Sequence, residues 1–216
     1  MIKLLLTTAL LSCTIVVYSQ QGYTFNRIST DDALGLSSNS VFCTYQDKHG
    51  YLWVGTANGL QRFDGSKFIR YNNSAPGDSY PPVSDLQQIL PDGNGSLWLF
   101  YGARKEIGIF NPSTLRYQPI TIQTANPIPA RSSMRVWQDK KGNIYLSIWK
   151  YGILRYNKKK NSFCDENPFS LPKGWIAGVY VFEDTVKKQI WFPCPDSGLV
   201  VYDITKEKYY SSSYNP

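Results

Sequence analysis

Histidine is almost missing from this chain, with one residue, His49, in 216. General acid–base chemistry most often uses histidine, and His49 sits in a turn with no partner for such work. Cysteine is scarce as well: Cys13, Cys43, Cys164 and Cys194. Their spacing fits no metal site. The last three fall at unrelated places in the pattern described below, and an odd number leaves at least one unpaired, so they read as small buried hydrophobes. Acidic residues are outnumbered, 16 against 23 Lys and Arg, for a net charge of +7. The cations are scattered. The single run, Lys158 to Lys160, reads as a hairpin turn between Tyr156 and Phe163, and no nucleic-acid module accompanies it. No nucleophile elbow and no metal-ligand cluster is present. After residue 20, nothing approaches the ~20 apolar residues that cross a bilayer. No cofactor is implied.

What is abundant is aromatic: 16 Tyr, 10 Phe and 6 Trp, or 15% of the chain. Rings suit a pleated, half-buried surface. Sixteen Gly and 13 Pro punctuate the chain often, which fits many short strands rather than long helices. Residues 1–20 stand apart. Lys3 precedes an apolar stretch from Leu4 to Val17, and Val17-Tyr18-Ser19 offers a cleavage site. This is a cleavable signal peptide, and it implies a periplasmic location. The weaker alternative is a lipoprotein acylated at Cys13, but the apolar residues 14–17 would then stay on the mature protein.

Residues 21–216 repeat. The large ring after a turn falls at Trp53, Trp98, Tyr145 and Trp191, in steps of 45, 47 and 46. The turn aspartate falls at Asp47, Asp92, Asp139 and Asp184, in steps of 45, 47 and 45. A later ring falls at Phe63, Phe110, Tyr156 and Tyr202, and a final one at Tyr71, Tyr117, Phe163 and Tyr209, with three steps of 46. Each repeat reads as four strands, A to D, with an Asp-led A–B turn. Antiparallel four-stranded units of this length are propeller blades. The fold class is all-β: a partial β-propeller of four blades, at about 37–71, 82–118, 131–164 and 175–210, with the four post-turn rings buried between sheets. Phe25 lies 46 residues before Tyr71, so Tyr23-Thr24-Phe25 reads as an orphan outer strand. Five D-type strands against four A-B-C triplets give an arc of a longer propeller rather than a sealed four-bladed ring.

Blade one carries Gln46-Asp47, Gly50-Tyr51-Leu52-Trp53-Val54-Gly55-Thr56, Asn58-Gly59-Leu60 and Arg62-Phe63-Asp64-Gly65. It resembles the two-component regulator propeller family, whose pattern is close to D-x-x-G-x-L-W-x-G-T-x-x-G-L. Later blades keep the rings but replace the Gly-Thr pair with Phe100-Tyr101, Ser147-Ile148 and Pro193-Cys194. The resemblance implies the exported sensory part of a hybrid histidine kinase, with the rest of the propeller and the kinase as its missing partners. It also implies an oligosaccharide-like ligand and no nucleic acid.

In propellers the B–C and D–A loops share one face, commonly the ligand face. Blade two runs ten residues from Trp98 to Gly108, against six in blade one, and adds Tyr101, Arg104, Lys105 and Glu106. Blade three places Trp149, Lys150 and Tyr151 at its B–C tip. Tyr80, Arg131 and Trp175 mark the D–A loops. Rings can stack on sugars, and cations can bind hydroxyls or carboxylates. The candidate ligand residues are therefore Tyr101, Arg104, Lys105, Trp149, Tyr151 and Trp175. Two other classes remain open: an exported propeller lyase or glycosidase, for which no acid/base pair can be assembled, and a scaffold that binds partners.

Overall fold

The structure, a computed structural model, describes residues 25–32, 35–71, 79–165, 169, 171, 178–195 and 197–212. The expected signal peptide, Tyr23, Thr24 and Trp175 lie outside the described residues. Sixteen strands and no helix are found among the described residues. Blade one is β1 (Val41–Gln46), β2 (Leu52–Thr56), β3 (Gly59–Phe63) and β4 (Phe68–Tyr71). Blade two is β5 (Leu86–Pro91), β6 (Leu97–Tyr101), β7 (Glu106–Asn111) and β8 (Arg116–Ile122). Blade three is β9 (Met134–Gln138), β10 (Ile144–Ile148), β11 (Gly152–Asn157) and β12 (Ser162–Cys164). Blade four is β13 (Phe182–Asp184), β14 (Gln189–Cys194), β15 (Gly198–Asp203) and β16 (Lys208–Tyr210). Every blade is an antiparallel meander in chain order.

Two kinds of turn build each blade. The A–B turns are led by the expected aspartates. The Asp47 carboxylate accepts the amides of His49 and Tyr51 at 2.9 and 3.1 Å, and Gly50 adopts φ +85°, a conformation that costs glycine little. Asp92 and Asp139 repeat the device. Asp47 also accepts Trp53 Nε1 at 2.9 Å, so the turn pins the ring that follows it. The C–D turns use a second acceptor that the repeat pattern did not reveal. Asp64, Asn111, Asn157 and Asp203 each accept the amides two and three residues ahead. These four residues follow one another at 47, 46 and 46, and such side-chain caps are typical of Asx turns.

Strand alternation sends the post-turn ring toward the next blade and its neighbours back toward the previous one. Trp53, Leu60 and Tyr71 pack against Leu97, Leu99 and Tyr101 of blade two. Trp98 and Phe100 pack against Ile144, Leu146 and Ile148 of blade three. Trp137 and Tyr145 pack against Ile190, Phe192 and Cys194 of blade four. Three apolar clusters therefore fill the three gaps between consecutive blades, and none joins blade four to blade one among the described residues. The blades form an open arc.

The arc explains one departure from expectation. Trp53, Trp98 and Tyr145 are buried as expected, but Trp191 is only half-buried. It holds the equivalent register, paired with Phe182 and Val201, and faces the side where no further blade stands. Phe182 and Leu199 on that face are 66% and 56% exposed. At the opposite end, Phe25 alone of the expected orphan strand lies within the described residues. Residues 25–29 form no strand, and Phe25 is 93% exposed. Leu36 and Ser37 instead cover the outer side of blade one, where Ser37 N and Oγ donate to the buried Gln61 at 2.8 and 2.7 Å.

Among the described residues, strands of neighbouring blades pair through their backbones only between blades two and three. The outer strand β12 pairs in parallel with β8, Ser162 with Thr121 and Phe163 with Ile122, and merges the two blades into one eight-stranded sheet. At the inner edge, the Gln88 amide exchanges hydrogen bonds with the Val136 backbone, accepting its N–H at 2.9 Å and donating to its C=O at 2.5 Å.

Candidate functional site

The innermost strands β1, β5, β9 and β13 line the central channel. A cavity of about 400 Å³ opens there, within the range of small-ligand sites. Its walls include Phe42, Gln87, Ser133, Arg135 and Tyr180. Phe42, Gln87, Ser133, Arg135 and Tyr180 are all exposed. The Arg135 guanidinium sits 5.1 Å from the centre of the Tyr180 ring, a cation–π distance. Gln87 donates to Asp85 at 2.8 Å, and Asp85 accepts the amide of Ala103 at 2.9 and 3.0 Å. That carboxylate therefore ties the B–C loop of blade two to the channel mouth. The arrangement offers rings, amides, a hydroxyl and one cation, a set that can bind polar, hydroxyl-rich molecules.

The loop residues expected to bind ligand are spread more widely. Tyr101 corrects the expectation outright: it is 0% exposed. It faces back into blade one and meets Tyr117 edge-on at 6.2 Å. Burial, and then the nearby Glu106, push its phenol far above the ordinary range. The lengthened loop begins only after it, because β6 runs through Tyr101. Arg104 is exposed and pairs with Glu106 at 3.0 Å. Lys105 donates to the Ala130 carbonyl, tying this loop to the D–A loop of blade three. Trp149 is half-buried, and its amide donates to Ser133 O at 2.9 Å. Tyr151 donates to Asp165 at 3.1 Å, beside Pro127, Pro129 and Lys150 in a shallow hollow. Arg104, Lys105, Trp149 and Tyr151 thus stand around the loop face and not in the channel cavity.

Sequence reasoning missed the channel residues because it searched loops. One signal was available. Arg135 and Tyr180 each stand two residues before the A-strand partner of a post-turn ring. Polar residues on the innermost strand mark a wet channel rather than a core.

The Gly-Thr pair of blade one also has a physical cause. A Cβ on Gly55 would stand 2.6 Å from Leu86 O and 2.5 Å from Cys43 Sγ, so glycine lets the inner strand of blade two close in. Thr56 is fully buried and its hydroxyl donates to Gly59 O at 3.2 Å, closing the B–C turn. Burial holds the Cys43 thiol up at about 11.

These features define a β-propeller arc, and comparison with known proteins agrees. Residues 35–58, the first half of blade one and the loop before it, match the two component regulator propeller family model. A stretch of 45 residues, 21% of this chain, is 56% identical to histidine kinase P4 of Formosa agariphila, of which it spans 3%. The fold superposes on the extracellular domain assigned to a hybrid two component system of Bacteroides thetaiotaomicron, with TM-score 0.67 at 19% identity. That match covers 88% of this chain and 26% of the other. PorZ, a surface component of the type-IX secretion system of Porphyromonas gingivalis, matches with TM-score 0.50 at 18% identity. It covers 76% of this chain and 24% of that one.

Proposed function

We propose that this chain is the ligand-sensing propeller of an exported, periplasmic two-component sensor, whose output belongs to a kinase not contained in these residues. The observation that carries this reading is the 56% identity of a 45-residue stretch to a histidine kinase, together with the family match over residues 35–58. The ligand is oligosaccharide-like and enters the channel mouth, where Arg135 and Tyr180 stand together. Arg104, Lys105, Trp149, Tyr151 and Trp175 would contact the parts of a longer ligand that extend over the loop face. The remainder of the propeller would cover the exposed face of blade four. Calorimetric titration of the chain with neutral and acidic oligosaccharides tests the reading. Binding that falls at least about tenfold, or about 1.4 kcal/mol, in Arg135→Ala and Tyr180→Ala supports it. Failure of every oligosaccharide, or binding indifferent to both substitutions, rejects the channel site.

A further inference from the structure

The turn face, opposite the loop face, carries a groove at each junction between blades. The three grooves are built from equivalent turns but differ in charge. The groove between blades one and two holds Lys48 against Asp47. The groove between blades three and four holds Lys141 and Arg155 against Asp139, Glu183 and Glu207. The groove between blades two and three has a volume of about 620 Å³ and holds Arg155, Lys158 and Lys159 against Asp92 alone. It alone of the three carries a positive excess. The Asp92 carboxylate accepts the amides of Asn94 and Ser96 at 2.7 and 2.9 Å.

The excess lies in the C–D turn of blade three, which carries Lys158 and Lys159 where the same turn of blade two carries Pro112 and Ser113. The C–D turn needs only a side-chain oxygen acceptor, and blades one and four supply it with Asp64 and Asp203. In blade four that carboxylate also faces a cation, with Lys206 Nζ 3.9 Å from Asp203. Blades two and three supply the same cap with the neutral Asn111 and Asn157. Lys158 and Lys159 are therefore held at the groove rim with no ion pair among the described residues. Arg155 is fixed beside them by a 2.6 Å bond to the Asn143 side chain. The wall is formed by Trp98, Ile109 and Tyr156. The exposed amide of Asn94 lies on the facing side, without a side-chain partner among the described residues.

We propose that this groove is a second binding site, for a small acidic saccharide bearing a carboxylate or sulfate. Its acid group would meet Lys158, Lys159 and Arg155, and its hydroxyls would meet Asn94 and Gln138. The volume suits one small ligand. The cations sit on one strand and its turn rather than in a stripe that could follow a phosphate backbone. The site does not depend on the sensing reading or on the channel.

The test is titration of the full chain with disaccharides of galacturonate, of glucuronate and of sulfated galactose, alongside neutral digalactose and a short oligonucleotide. At least one acidic disaccharide binds and weakens as salt rises, because solvent-exposed charges are screened. Neutral digalactose does not bind at this groove. The double variant Lys158→Glu, Lys159→Glu loses at least about tenfold in affinity. Asn157→Asp, which keeps the cap and adds a charge, loses less. The control Lys187→Glu, Lys188→Glu, on the A–B turn of blade four, leaves binding unchanged. No binding by any acidic disaccharide overturns the proposal. So does tighter binding of the oligonucleotide, or equal loss in the blade-four control.

Discussion

Truncating Trp98 and Trp191 to alanine compares the same repeat position in two surroundings. Trp98 is 3% exposed, with its indole edge-on to Tyr156 at 4.8 Å and 5.7 Å from Phe163. A tryptophan buries about 150–250 Å², which at ~25 cal/mol per Å² is worth about 4–6 kcal/mol. Alanine keeps a small part of that area, and the walls relax only partly, so the loss should be about 3–5 kcal/mol. Trp191 packs no following blade and remains half-buried. Its indole N–H makes no hydrogen bond among the described residues. Losing roughly half the area should lower stability by about half as much, roughly 1.5–2.5 kcal/mol. Urea unfolding followed by far-UV circular dichroism measures both. The midpoints should shift at a constant slope, so that the difference reports stability and not altered compactness. A thermal melt should fall by about 2–4 °C for each kcal/mol in a chain of this size. An equal or larger loss in Trp191→Ala would refute the open-arc account, because a buried Trp191 requires a covering surface.

Three further outcomes are expected. Gly55→Ala should destabilise by about 1–3 kcal/mol through overpacking, since its Cβ meets the Leu86 carbonyl; a neutral result in urea melts would dismiss the close approach as the reason for the glycine. Asp47→Ala should lower stability by about 1–3 kcal/mol, because it leaves Trp53 Nε1 without its acceptor, and hydrogen exchange should show faster loss at the β1–β2 hairpin than at the β5–β6 hairpin. The Cys43 thiol titrates near 9.0 when unfolded and about 11 when folded. Folding therefore favours the protonated thiol: its contribution is complete below pH 9 and is lost as pH rises from 9 to 11. A Cys43→Ala chain should show a shallower loss over that interval in pH-dependent urea melts, and an identical slope would remove the thiol from the account.

The four blades, their order and their A–B turns were legible because rings and aspartates recur with the repeat. What stayed hidden lies between repeats or depends on which way a side chain faces. Tyr101 looked like a loop ring because the insertion follows Trp98, yet alternation turns it inward onto blade one. Trp191 looked like its counterparts because register alone does not say whether a neighbour stands beyond it. The C–D caps escaped notice because Asp and Asn share the position. Arg135 and Tyr180 come together only when the arc curves, since 45 residues separate them along the chain.

The parallel seam between β8 and β12 makes the arc mechanically uneven. Blades two and three share backbone hydrogen bonds at their outer edge and the Gln88 clamp at their inner edge. Blade one meets blade two chiefly through packed side chains, and blade four meets blade three through packed side chains. Under load applied at the two ends, the outer blades should peel away first, while the middle pair yields as one body at higher force. The loop face and the cationic groove both straddle that stiff pair, so a ligand there would rest on the part of the arc that deforms least.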